Sequence, residues 1–108
     1  MALDVPQTVA AYLAAEEAKD ADALSHCFAN DGIVHDEGRD YCGRDAIRQW
    51  KQDADAKYRY VLHPLDAQTQ GDTVILRARL IGQFPGSPVE LDHFFKLSNN
   101  EITSLEIR

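Results

Sequence analysis

The sequence predicts an α+β fold, three helices followed by a meander of antiparallel strands. Three observations carry this reading. Apolar residues recur at helical spacing as far as Lys57. From Tyr58 onward they alternate with a period of two. Turn signals at Gly71-Asp72, Pro85-Gly86-Ser87-Pro88 and Asn99-Asn100 divide that second half into strands.

Pro6 suits the first turn of a helix, and Val5, Val9, Tyr12, Leu13 and Glu16 share one face of it. The opposite face is alanine, a strong helix former. This helix is expected to end near Lys19. Asp20 and Asp22 supply N-cap chemistry for a second helix that points Leu24, Cys27 and Phe28 inward. Asn30-Asp31-Gly32 is expected to terminate it. Ile33 to Asp36 reads as a short strand and Glu37 to Gly43 as a loop with two glycines. A third helix is predicted over Arg44 to Lys57, with Ile47, Trp50 and Ala54 on its apolar side.

Tyr58 to Thr69 reads as a strand region that Pro64 marks as an edge or a bulge. Thr73 to Phe84 and Val89 to Leu97 form a hairpin. Asn99-Asn100 makes a tight turn, because Asn tolerates positive φ, and Glu101 to Ile107 closes the sheet. If Phe84 pairs with Val89, then Leu76, Ala78 and Leu80 face Leu97, Phe95 and His93. Arg77, Arg79 and Ile81 face Lys96, Phe94 and Asp92 on the other side. The first side is the core face, with His93 its one ionisable group, and Asp92 turns outward.

At 108 residues and 44% hydrophobic, the chain is expected to form one domain, residues 1–108, around one core. No apolar run approaches the roughly 20 residues of a membrane span. MALDVPQTV lacks a basic region followed by an apolar block, so a cytoplasmic protein is expected. A net charge of -7 argues against sequence-independent nucleic-acid binding. Asp4, Glu16, Glu17, Asp20, Asp22, Asp31, Asp36 and Glu37 stand against the single base Lys19 in that stretch, and solvated helix faces account for them. Cys27 and Cys42 form no disulfide framework, and His26, His35, His63 and His93 lack metal-ligand spacing. No metal or other cofactor is expected.

The order of these features resembles the SnoaL-like group of the nuclear transport factor 2-like superfamily. The residues that carry the resemblance are Tyr12, Asp20, Leu24, Phe28, Asp31, Val34, Asp36, Gly43, Ile47 and Trp50. The ending Asn100-Glu101-Ile102 to Leu105-Glu106-Ile107 completes it, so that it spans nearly the whole chain. It implies a cone, in which a curved antiparallel sheet wraps N-terminal helices around a mostly apolar pocket (cystatin-like). It also implies a small apolar, polyketide-like or steroid-like ligand and a homodimer formed through the outer sheet face. A terminal strand ending at Arg108 would be shorter than the one that helps wall the pocket in some family enzymes.

Ketosteroid isomerases and polyketide cyclases belong to this superfamily. By resemblance, Tyr12 is similar in placement to an oxyanion-hole tyrosine and Asp36 to a general-base aspartate. Asp92 stands near the position of the family's protonated acid, but alternation brings His93 inward in its place. The candidate catalytic residues are therefore Asp36, Tyr12 and His93. Phe28, Trp50, Phe84 and Phe95 are candidates for an apolar ligand-binding wall. Each also has a plainer reading. Tyr12 fits a core tyrosine with a satisfied hydroxyl, Asp36 a cap for the Gly38 loop or a partner for Arg39 or Arg44, and His93 a structural histidine. An isomerase, cyclase or dehydratase and a non-catalytic binding or dimerisation domain both follow from the fold.

Overall fold

The computed structural model describes residues 4–108. The elements run α1 (Gln7–Ala18), α2 (Ala21–Ser25), β1 (Phe28–Asp36), β2 (Arg39–Cys42), α3 (Arg44–Tyr58), β3 (Val61–Gln70), β4 (Thr73–Ile81), β5 (Val89–Ser98) and β6 (Glu101–Ile107). The six strands make one curved, unclosed sheet in the order β2-β1-β6-β5-β4-β3. Neighbours are antiparallel except β1 and β6, which run parallel. The α+β layout is as expected.

α1 stops where Lys19 turns left-handed (φ 56°), and the Lys19 and Asp20 amides close back on Glu16 O and Ala15 O. Asp20 then caps α2, its side chain accepting from the Ala23 amide at 3.0 Å. The second helix is shorter than its sequence suggests. It ends at Ser25, and Cys27 and Phe28 leave it for the sheet, where the Ile102 amide donates to Cys27 O at 2.9 Å. Asn30-Asp31-Gly32 is therefore no helix terminator. It sits in a bulge of β1, between the pairs Phe28–Ile102 and Ile33–Ser104. Arg44 fastens the bulge by donating to Phe28 O (3.0 Å) and Asn30 Oδ1 (2.6 Å). Turn-forming residues serve a bulge as readily as a helix end, which is why local chemistry misassigns this segment.

The predicted loop at Glu37 to Gly43 is also a correction. Val34 to Asp36 pair with Tyr41 to Arg39 around a two-residue turn in which Glu37 (φ 54°) and Gly38 (φ 75°) are both left-handed. Glu at the first position disguised the hairpin. Its consequence is functional, because Asp36 is the last residue of β1 before the tip. Asn99 and Asn100 (φ 52° and 63°) form the expected tight turn, and β3 is an edge strand with its irregularity at Pro64/Asp66.

The β4–β5 hairpin differs in register. β4 ends at Ile81 rather than Phe84, and Leu80, Ala78, Leu76 and Val74 pair with Val89, Leu91, His93 and Phe95. Phe84 lies in the connecting loop, held to α3 by a bond from the Gln83 amide to Tyr58 O at 2.8 Å. The slip from the predicted pairing is an even number of residues, so every side chain keeps its face. His93 and Phe95 point inward, whereas Asp92 lies outward and pairs with Arg77 at 3.1 Å.

Val9, Tyr12, Leu24, Phe28, Ile47, Leu76, Ala78, Phe95, Ile102 and Leu105 form the core between helices and sheet. Burying each of the larger side chains contributes about 1.5–3 kcal/mol. Tyr12 anchors this packing, edge-on to both Phe95 (centroids 5.0 Å apart) and Phe28 (6.2 Å).

Candidate active site

A cavity of about 150 Å³ opens between α1, α3 and the concave face of the sheet. α1 brings Tyr12 to it, the β1–β2 hairpin tip Asp36 and Glu37, and α3 Trp50, Ala54 and Tyr58. Tyr60 precedes β3, Leu80, Leu91 and His93 come from β4 and β5, and Phe84 with Val89 from their connection. Asp36, Tyr12, His93, Trp50 and Phe84, scattered along the sequence, thus line one space. Phe28 and Phe95 do not. Both are fully buried behind Tyr12 in the core, so their assignment to the ligand wall is corrected.

Asp36 is held from α3, the Trp50 Nε1–H donating to its Oδ2 at 3.1 Å. Neither Arg39 nor Arg44 takes its side chain: Arg39 pairs with it only in the strand ladder, and Arg44 is occupied by the β1 bulge. Burial raises the carboxyl pKa above its ordinary value. The Trp50 hydrogen bond opposes that rise, and the neighbouring Glu37 charge adds to it. Glu37 is fixed at the rim, accepting from the Tyr58 hydroxyl at 2.7 Å. A partly desolvated carboxylate with one oxygen steered by an indole N–H is suited to removing a proton.

His93 is 2% exposed, and its Nδ1 is a buried nitrogen without a hydrogen-bond partner among the described residues. Burial pushes its pKa down to about 4, against the Leu91 backbone and the Asp92 charge, which raise it. The imidazole is neutral at pH 7 and has one N–H to donate. Tyr12 is as deeply buried, and burial together with the Glu16 charge raises its phenol pKa, keeping it protonated. Two neutral donors, Asp36 and the rim residue Glu37 therefore share a cavity whose other walls are mostly apolar. Among the described residues, no three His, Cys, Asp or Glu side chains converge as metal ligands.

The sequence profile of the SnoaL-like domain matches residues 9–105. The chain belongs to the SnoaL-like domain family. No curated protein sequence is similar enough to match. Among solved structures, this SnoaL-like domain superposes on a protein from Sinorhizobium meliloti provisionally assigned as a polyketide cyclase. The TM-score is 0.95, with 41% identity, covering 97% of this chain and 96% of that one. A protein with a ketosteroid isomerase-like fold from Catenulispora acidiphila, solved in complex with trimethylamine, gives a TM-score of 0.85 at 28% identity, covering 97% and 86%. A nuclear transport factor 2-like protein from Cytophaga hutchinsonii shares the fold alone (TM-score 0.74, 17% identity, covering 100% and 91%).

Sequence reasoning missed two features, one in the cavity wall and one behind it. Tyr58 continues the Trp50–Ala54 stripe by one helical turn, so helical spacing alone would have found it. The second is ionic. Lys51 is fully buried and donates to Glu16 Oε1 (2.7 Å), Asp55 Oδ1 (2.5 Å) and the Tyr60 hydroxyl (2.9 Å). Lys19 adds its ammonium over the Tyr60 ring at 4.4 Å and lies 3.6 Å from Asp55. Glu16 was visible on the apolar face of α1, but its partner lies on another helix. No spacing rule links residues 35 positions apart.

Proposed function

We propose that this protein is a small-molecule enzyme in which Asp36 removes a proton from carbon next to a carbonyl. The C–H bond breaks, the proton passes to the Asp36 carboxylate, and the electron pair moves into an enolate. Tyr12 and His93 donate hydrogen bonds to the enolate oxygen. Return of the proton at a different carbon gives isomerisation. Loss of a β-leaving group gives dehydration, and attack on a second carbonyl gives cyclisation. The observation that carries this reading is the convergence of Asp36, Tyr12 and His93 on one cavity. The likeness to the Sinorhizobium protein supports cyclisation among the three outcomes.

The cavity suits a guest of about benzene size, or the reacting end of a larger polyketide-like or steroid-like ligand. The trimethylamine in the Catenulispora protein supports a pocket for small molecules. A direct test follows α-proton exchange of small cyclic ketones in D2O by NMR. Protein-dependent exchange that disappears in Asp36→Asn supports the base, and exchange unchanged in that variant overturns it.

A second reading is a non-catalytic ligand-binding domain. It is favoured by the outward course of Asp92, which leaves the site without a second carboxylic acid beside its oxyanion donors. Saturable ligand binding with no exchange would select it. In both readings two copies pair through the outer sheet face, where Ile81 is 43% exposed and Arg108 covers Phe94 at 4.3 Å. Light scattering that returns the mass of one chain would refute the pairing.

A further inference from the structure

We infer that the cavity takes a ligand bearing a compact organic cation, a tertiary or quaternary ammonium group, seated among Trp50, Tyr58 and Phe84 with Asp36 and Glu37 as counter-charges. This rests on the reading of the cavity as a small-molecule site and adds the charge class of its ligand.

The first argument is electrostatic. Two carboxylates line the cavity, and among the described residues no lysine or arginine does. The nearest buried cation, Lys51 behind Tyr60, is offset by Glu16 and Asp55 at 2.7 and 2.5 Å. Arg39 and Lys57 lie in the adjoining outer groove; on the cavity side a cation gains from both acids in a partly dry site.

The second argument is the wall. Tyr58 and Phe84 meet edge to face with centroids 5.7 Å apart at 81°, forming a corner. Trp50 lies against Tyr41 (6.2 Å, tilted by 38°) and also borders the cavity. Aromatic faces attract ammonium groups, Trp most strongly. Rings around this site already do so with the protein's own side chains: Lys57 sits 5.0 Å from the Tyr58 centroid, and Lys19 and Lys51 sit 4.4 and 4.7 Å from that of Tyr60. A volume of about 150 Å³ accommodates a trialkylammonium group with a short polar arm.

The third argument is the other end of the ligand. His93 and Tyr12 both border this space, away from the hairpin tip. Polar side chains set in an otherwise apolar wall favour a polar group on the guest. The class is therefore an amino ketone or amino alcohol, with its oxygen at Tyr12 and His93 and its ammonium at the hairpin tip. Glu37, fixed by Tyr58, stays opposite the ammonium when Asp36 takes up a proton.

Trp50 is the only tryptophan, so its fluorescence reports on the site directly. The experiment titrates the protein with choline and with 3,3-dimethylbutan-1-ol, its neutral carbon isostere, at constant ionic strength. Choline is expected to bind at least about tenfold more tightly. That preference should fall to under about threefold in Asp36→Asn and in Glu37→Gln. Equal or tighter binding of the neutral alcohol by the wild-type protein would overturn the cation and leave the small-molecule site standing. Binding of neither compound, by fluorescence and by calorimetry, would overturn both.

Discussion

Trp50 on α3 donates its indole N–H to Oδ2 of Asp36 at the tip of the β1–β2 hairpin, across 3.1 Å. This bond joins the two elements that form one side of the cavity and fixes where the carboxylate stands. It also counteracts the rise in pKa that burial imposes on Asp36. Trp50→Phe keeps the ring but removes the donor. The variant is expected to move the acid limb of the α-proton exchange profile to higher pH, by up to about one pH unit. An unmoved limb would mean that the bond does not tune the base.

Asp36 carries a cost in stability. Its folded pKa lies above the ordinary 3.8, so the protonated form is favoured in the folded state, and stability is lost as pH rises through the folded value. Glu37, Arg39, Asp53 and Lys57 are the charged groups that share the adjoining groove with it. Asp36→Asn retains an acceptor for Trp50 and removes the charge. Its melting temperature should exceed that of the wild type by a few degrees at pH 7. The gain should vanish near pH 3, where both states are protonated. An equal gain at both pH values would show that desolvation of the charge is not its cause.

His93 has the opposite linkage. Its folded pKa is depressed to about 4 from 6.5, so its contribution is complete above 6.5 and is lost as pH falls towards 4. Protonating this imidazole in place costs on the order of 3 kcal/mol. His93→Gln is expected to flatten the acid loss of stability between pH 6.5 and 4, as measured by urea unfolding at several pH values. It should also lower affinity for carbonyl ligands, because a donor in the cavity is altered.

Lys51, Glu16 and Asp55 make a buried ionic cluster, and its pieces are worth more together than apart. Lys51→Met leaves buried Glu16 with only the more distant, half-exposed Lys19 at 3.9 Å and should cost about 3–5 kcal/mol. Adding Glu16→Gln should recover much of that loss, since Asp55 keeps Lys19 at 3.6 Å. Urea unfolding of the two single variants and the double variant measures the coupling directly. Additive losses would refute it.

Gly82 approaches the α3–β3 junction so closely that an added Cβ would lie 2.7 Å from Tyr58 O and 2.7 Å from Tyr60 Cα. Both of those residues border the cavity. Gly82→Ala should therefore cost about 1–3 kcal/mol and weaken ligand binding together with stability. A loss of stability with ligand affinity intact would show that the junction does not shape the site.

Much of the site was legible because strand faces depend only on parity. His93 inward and Asp92 outward follow from the alternation of Leu76, Ala78 and Leu80, and they survive a register that differs from the one the turn suggests. Tyr12, Asp36 and Trp50 were legible as candidates through the family resemblance they help to carry. What failed was local chemistry with two uses. Asn30-Asp31-Gly32 serves a bulge in place of a helix end, and Glu37-Gly38 a hairpin in place of a loop.

The sequence by itself determined the classes of element, their order and the face each strand buries, because these depend on periodicities within a few residues. Only the tertiary structure decided that Asp36, Tyr12, His93 and Trp50 share a cavity, that Phe28 and Phe95 stand behind it, and that Lys51 is buried on Glu16. Those relations join residues on separate elements, and the curvature and register of the sheet set their distances. The physical reason is range: a propensity or a period acts over neighbours in the chain, whereas burial and ion pairing act over neighbours in space.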